Sequence, residues 1–488
     1  MKKEHIKSFI LILLILNAVQ LMLHIWFDNN LWKSENGFYD SIKNSPFVTS
    51  VFSIFGKDKD TLTGEQLYAA AIKPRRIIIN GGGAREVYNI ESEEYSYAEE
   101  KISSIIDSFR KSNITVTNIS YSEWKNLFKG KSIYVDFGYG IDADNLNIIY
   151  DIASSDGKFE KFTNSSGFII TPDTFTSTCT ICMYDQNNDS VVAHSFSYNG
   201  GELLKYIEES TYGKQQNDMF AFEINLDTKT VSDEDVERRV ALNPLSLLSI
   251  GNEKSKTIKF NNIFENYDEI ERFSEKALSV FGYNASNLRK TVLSDNTIVY
   301  VENNATIKYY YDGTIEYTSV KKDIGMKTTS ANQSCSSTVN DILNIVKSIW
   351  DKSGVSSDNL ILHMDSILAD NKDNIYVIKL NNLYNGTVIN YDNLTNNAVY
   401  AEVEDGYITK FIMHISDVKE TESANESIPV LQGIDMMYEQ YGNKKIIIDD
   451  VYRCYHLTKS NELSVKWAFK INDENNILVI DTIAQEKD

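Results

Sequence analysis

Hydrophobic and polar positions divide this chain into one long apolar run and a series of shorter periodic segments. The run is Ser8–Phe27, SFILILLILNAVQLMLHIWF, which is uncharged and mostly Ile and Leu. Its length matches the roughly 20 helical residues that cross a bilayer's hydrocarbon core. Lys2, Lys3 and Lys7 precede it against the single acid Glu4, and Asp28 follows it. The positive-inside bias predicts a cytoplasmic tip at 1–7, a transmembrane helix at 8–27 and the rest of the chain outside the cell. A cleaved signal peptide is the competing reading, but its apolar core would run only about 7–15 residues and end at a small-x-small site. Here the end reads Leu21-Met22-Leu23-His24-Ile25-Trp26-Phe27, without small residues and without a nearby Cys to carry a lipid. A retained signal-anchor is the expectation.

Three polar residues interrupt the run: Asn17, Gln20 and His24. At 100° per residue they fall at about 0°, 300° and 340°, so they share one helix face, which Leu13 continues towards the cytoplasm. Amides and imidazoles hydrogen-bond across membrane helices, so the stripe is read as a contact face for other helices. The plainer reading lets Gln20 and His24 snorkel at the outer interface beside Trp26.

Beyond the run, residues 28–72 carry few periodic signals and read as a tether. Residues 73–240 read as a mixed α/β domain. Arg76–Ile79 predicts a buried strand, Asn80–Gly83 a turn, and Ile102, Ile105, Ile106 and Phe109 a helix at i, i+3, i+4, i+7 spacing. Further strands are predicted at Ile114–Val116, Ser132–Phe137, Gly167–Ile170, Phe175–Tyr184, Val191–Tyr198 and Phe220–Leu226, with Asn187-Asn188-Asp189 as a hairpin turn. Pro244 and the run Leu245–Ile250 mark a boundary. Residues 245–326 form a middle α+β unit: a helix with Tyr267, Ile270, Phe273, Ala277 and Val280 on one face, then a meander turning at Asn303-Asn304 and at Asp312-Gly313. After the polar link Lys327–Ser337, residues 338–488 show a weak internal repeat. A helix around Ile342–Trp350 precedes strands near Leu360–Leu368 and Ile375–Leu380. A helix around Val430–Tyr438 precedes strands at Ile446–Tyr455, Leu463–Ile471 and Ile477–Asp481. A helix followed by a three-stranded meander, twice, is a small α+β module, so the fold class is α+β in several domains.

Composition narrows the partners. The net charge of -21 and pI near 4.8 exclude nucleic acid and anionic lipid heads as bulk electrostatic partners. Four cysteines in 488 residues do not make a disulfide scaffold. Cys179-Thr180-Ile181-Cys182 has redox or zinc spacing. It lies in a strand-like segment rather than at a helix start, and no second pair accompanies it. Asn80-Gly81-Gly82-Gly83-Ala84-Arg85 lacks the third Gly of a dinucleotide loop and the Lys-Ser/Thr of a P-loop. The stretch from Asp185 starts like a calcium loop, but Ser190 and Phe196 stand where Gly and Glu are required. His194, His363, His414 and His456 sit singly in predicted strands, as structural histidines do. Nothing in these motifs points to an enzyme, a metal or a cofactor.

The order of elements resembles the YycH family of Gram-positive bacteria. The features are the Lys-bearing tip Met1–Lys7, one membrane helix, an α/β domain, a middle α+β unit and a C-terminal helix-plus-meander repeat. Ile446–Ile480, with Tyr452, Tyr455 and Trp467-Ala468-Phe469-Lys470, is similar to the related YycI domain and to PepSY-like modules. The resemblance implies a non-enzymatic, single-pass membrane protein that regulates a WalK (YycG) sensor histidine kinase together with a YycI-like sister protein, partly through its transmembrane helix. It carries over no catalytic residues and no cofactor. Asn17, Gln20 and His24 are the expected contact face, and a second copy of the chain is a further candidate partner. A ligand-binding PepSY-like module and a membrane-tethered cell-wall enzyme are the alternatives.

Overall fold

Seven antiparallel strands build the first sheet: β1 Arg76–Gly81, β2 Arg85–Asn89, β3 Thr115–Ile119, β4 Lys131–Ile141, β5 Ser165–Asp173, β6 Thr178–Asp185 and β7 Ser190–Ser197. Their spatial order is β2-β1-β4-β5-β6-β7-β3. The computed structural model describes residues 64–480 apart from 151–158, 160–161, 163, 174–176, 227–239, 252–253, 262, 329–334, 356–359, 371–373, 392–394, 442–445, 458–461 and 472–476. The predicted tip, transmembrane helix and most of the tether, with Asn17, Gln20 and His24, lie outside the described residues. Among the described residues, no helix is long and apolar enough to cross a membrane.

Helix α1 Gly64–Ala71 packs against the later helix Cys335–Ser353 and strand Ile361–Asp370, while α2 Glu93–Lys111, α3 Tyr121–Leu127, α4 Ala143–Ile149 and α5 Gly200–Thr211 accompany this sheet. Helix α2 starts where the Ser92 side chain accepts from Tyr95 N and Glu93 and Glu94 meet the positive end of the helix dipole. Its stripe of Ile102, Ile105, Ile106 and Phe109 is buried with Ile77, Ile79 and Val135 from one sheet face. The other face buries Ile78, Tyr134 and Ile169 with Trp124 and Phe128 from the α3 region. Strand β1 reads as a continuous apolar run because both its faces are covered.

The rest of the chain centres on a 14-stranded sheet. Short strands β8 Asp218–Phe220 and β10 Leu247–Ser249 pair with each other, β9 is Val240–Leu242, and β11 Lys254–Asn261 leads into α6 Tyr267–Ala277. The meander follows as β12 Arg289–Val292, β13 Ile298–Val301, β14 Ala305–Tyr309 and β15 Thr314–Ser319, then β16 Met326–Lys327. Gly313 turns at φ +89, and a Cβ there would stand 2.7 Å from the Ile415 carbonyl oxygen, so the predicted Asp-Gly hairpin needs its glycine. Helix α7 Cys335–Ser353 precedes β17 Ile361–Asp370, β18 Ile375–Tyr384, β19 Thr387–Tyr391, β20 Val399–Glu404, β21 Tyr407–His414 and β22 Asp417–Glu426. Helix α8 Val430–Tyr441 precedes β23 Ile446–Leu457, β24 Glu462–Leu463, β25 Val465–Ile471 and β26 Ile477–Ile480. Strand β15 pairs with β21, so the meander and the C-terminal strands share one sheet.

One reading is corrected. Phe220–Leu226 is not a strand: after β8 the chain turns into a 3-10 helix at Ala221–Ile224. Glu223 fixes that turn by accepting from Phe220 N at 2.7 Å while Arg85 takes its carboxylate. The Gly-rich turn is present as expected, but the strand β2 that follows it was not foreseen. Gly81 N donates to Ala84 O at 2.8 Å, closing a hairpin between β1 and β2 before α2 begins.

Among the described residues, polar bonds tie the first sheet to the C-terminal strands. Arg75 Nη1 donates to Asp450 at 2.8 Å, His363 Nε2 donates to the Lys73 carbonyl at 2.9 Å, and Gly386 N donates to Glu91 at 2.8 Å.

Candidate functional site

Between these ties lies a cleft of about 570 Å³. One wall comes from the first hairpin. In antiparallel register Arg76 stands opposite both Asn89 and Asp136, and residues directly opposite share a sheet face. Arg76, Val87 and Asn89 therefore face the same way and line the cleft. The facing wall holds Tyr452 and Arg453 of β23 with Trp467 of β25, and Arg453 and Trp467 are themselves cross-strand partners. Lys214, Asp218 and Ser249 close one side.

Ion pairs organise the cleft. Arg76 Nε donates to Asp136 at 2.6 Å, and Arg75 reaches the same carboxylate at 3.5 Å. Burial would raise the Asp136 pKa, but Arg76 and Arg75 outweigh it and hold the carboxyl below its usual range. For Arg75 burial disfavours the charge, and Asp450 and Asp136 more than offset it, so the guanidinium stays charged. Arg85 is filled: Nε donates to Asn80 at 2.6 Å, Nη1 to Glu223 at 2.8 Å and to the Asp218 carbonyl at 2.8 Å, and Nη2 to Glu223 at 3.1 Å and to the Phe128 carbonyl at 3.3 Å. Its guanidinium also lies 4.5 Å from the Phe220 ring centroid. Lys214 pairs with Glu86 at 3.2 Å nearer the solvent.

Four of the cations that line the cleft have a carboxylate beside them: Arg75 and Arg76 share Asp136, Arg75 also reaches Asp450, Arg85 takes Glu223 and Lys214 takes Glu86. Such a cleft, with most of its cations paired and rich in guanidinium donors, suits recognition of a polar group rather than bulk attraction of polyanions.

The residues singled out from the sequence do not gather here. Cys179 and Cys182 both lie in β6 as free thiols, three residues apart, and are buried on opposite faces of the sheet. Burial pushes each thiol up to about 12, the reverse of what a redox cysteine needs. His363 is committed to the Lys73 carbonyl. His414 bonds Thr314 Oγ1 at 2.9 Å and stacks on Tyr391 at 4.5 Å. Burial pulls both imidazoles down to about 4. His194 sits edge-on to Phe109 and Phe159 in the core. Asp185 accepts from the backbone of Asn187 and Asn188, which makes the calcium-like stretch a self-satisfied hairpin tip. Sequence reasoning passed over Arg75, Arg76, Arg85 and Arg453. The one local signal was the Arg75-Arg76 pair directly ahead of a buried strand.

The class these observations define is a multi-sheet α+β protein with a YycH-like fold. Among solved structures, the chain is similar to YycH from Bacillus subtilis, with a TM-score of 0.54 and 11% identity, over 85% of this chain and 97% of that one. An uncharacterized protein from Eubacterium rectale ATCC 33656 aligns over 51% of this chain and 91% of its own, at 14% identity. Its TM-score of 0.33 is too low to bear on the fold. No family model matches the chain, and no curated protein matches it.

Proposed function

We propose that this protein is a membrane-anchored, extracytoplasmic accessory regulator of a WalK (YycG)-like sensor histidine kinase. On this reading it works by protein–protein contacts, with a YycI-like sister protein and its own transmembrane helix, and has no enzymatic step. The observation that carries the reading is the YycH-like fold over 85% of the chain. The uncharged run 8–27, with Asn17, Gln20 and His24 on one face, supports it from the sequence. The divisions 73–240, 245–326 and 338–488, the last read as YycI/PepSY-like repeated units, belong to the same proposal. A regulator of this kind biases the kinase between two signalling states through differential contacts.

The test is complementation. In cells lacking the protein, a reporter of kinase output shifts, the wild-type chain restores it, and the triple variant Asn17→Leu, Gln20→Leu, His24→Leu at equal abundance does not. An unchanged reporter on deletion contradicts the regulatory reading. Full restoration by the triple variant removes the helix face from it.

A further inference from the structure

We propose that the cleft beside Arg76 binds a small ligand through a carboxylate, received by the two free terminal nitrogens of the Arg76 guanidinium. The inference goes beyond the kinase role and does not rest on it.

Arg76 is only 9% exposed. A guanidinium carries five N–H donors, and Arg76 uses one, from Nε to Asp136. Its Nη1 and Nη2 donate to nothing among the described residues, yet they are not sealed off, because the residue lines the cleft. Four donors on a rigid planar fork, held by a strand and by Asp136, form a preorganised receptor for a planar two-oxygen anion. Arg85, in the same cleft, shows what a saturated arginine looks like here, so the open fork of Arg76 is not a general property of the site.

Charge and size narrow the ligand. Four of the lining cations already face a carboxylate, so a monoanionic carboxylate fits better than a phosphate dianion. A volume near 570 Å³ lies in the range of small-molecule sites. Val87, Tyr452 and Trp467 supply apolar surface for the remainder of the ligand, and Arg453 stands on the far wall. In a chain of net charge -21, long-range attraction opposes anion binding, so recognition depends on this short-range fork.

The test uses the full chain in detergent micelles, with N-acetylated tri-alanine, its C-terminal amide and inorganic phosphate as probes, read by calorimetry and thermal shift. Acetylated tri-alanine is expected to bind saturably, and its amide at least about tenfold more weakly. Arg76→Lys keeps a cation on Asp136 but removes the fork, and is expected to weaken tri-alanine by a similar factor. Asn89→Asp sets a carboxylate directly across the strand from Arg76, so it should occupy the fork and weaken binding without lowering the unliganded melting temperature. Equal binding of acid and amide, unaltered binding by both variants, or no binding of any probe at about 10 mM would overturn the proposal. Phosphate binding in place of tri-alanine would overturn the monoanion assignment.

Discussion

Arg85 and Arg76 line the same cleft, four residues of β2 and β1 register apart, yet they are held in opposite ways. Arg85 gives every nitrogen a partner, two of them on the buried Glu223 carboxylate, and rests against Phe220. Arg76 gives one nitrogen to Asp136 and leaves the rest at the cleft. Burial is nearly equal, so burial does not separate a structural arginine from an open one. Donor saturation does. A filled guanidinium locks the β1–β2 hairpin to the 3-10 turn at Ala221–Ile224, whereas an unfilled one keeps capacity for something outside the fold.

The largest expected effect tests that difference. Arg85→Met leaves the Glu223 carboxylate with Phe220 N alone and the buried Asn80 Oδ1 without its donor, and should lower unfolding free energy by about 3–5 kcal/mol. Arg76→Met should cost less, about 1–3 kcal/mol, because Asp136 keeps Arg75 and accepts from Gly138 N at 2.9 Å. Urea unfolding of the two variants measures both, and equal losses would erase the comparison.

Acid tests the buried groups that are held neutral. His363 and His414 have folded pKa values near 4 against 6.5 unfolded. The unfolded chain therefore binds protons that the folded one refuses between pH 6.5 and 4, and stability falls as pH drops through that window. The full contribution is about 3 kcal/mol per histidine. Urea midpoints at pH 7 and pH 4.5 should show the loss, and His363→Asn should reduce it. The solvent-facing pair Lys214–Glu86 lies at the other extreme, and Lys214→Ala should change stability by no more than about 1 kcal/mol. The smallest effect is expected at β6: diamide treatment of the native protein should leave Cys179 and Cys182 as two thiols by mass spectrometry, because the sheet separates them.

Local features of this fold are legible in the sequence where a short-range rule governs them. The i, i+3, i+4, i+7 stripe of α2 and the Asp312-Gly313 hairpin follow from period and turn chemistry. The strand expected at Phe220–Leu226 failed because Glu223 satisfies Phe220 N and Arg85 together, and Arg85 is far away in sequence. Cys179 and Cys182 looked like a motif at fixed spacing, but the two-residue period of a strand sends them apart. The cleft was not legible at all. Its groups come from residues 75–89, 213–218, 247–249, 386–388 and 451–467, on elements of three separate sheets, and only tertiary packing brings them together.

The regulatory reading is tested most directly inside living cells, with a photo-crosslinker placed at Leu13 or Leu21 beside the polar stripe of residues 8–27. Mass spectrometry of the captured material is expected to identify a sensor histidine kinase or a second single-pass regulator. Capture of lipid and background alone at both positions would contradict a helix-mediated regulatory contact.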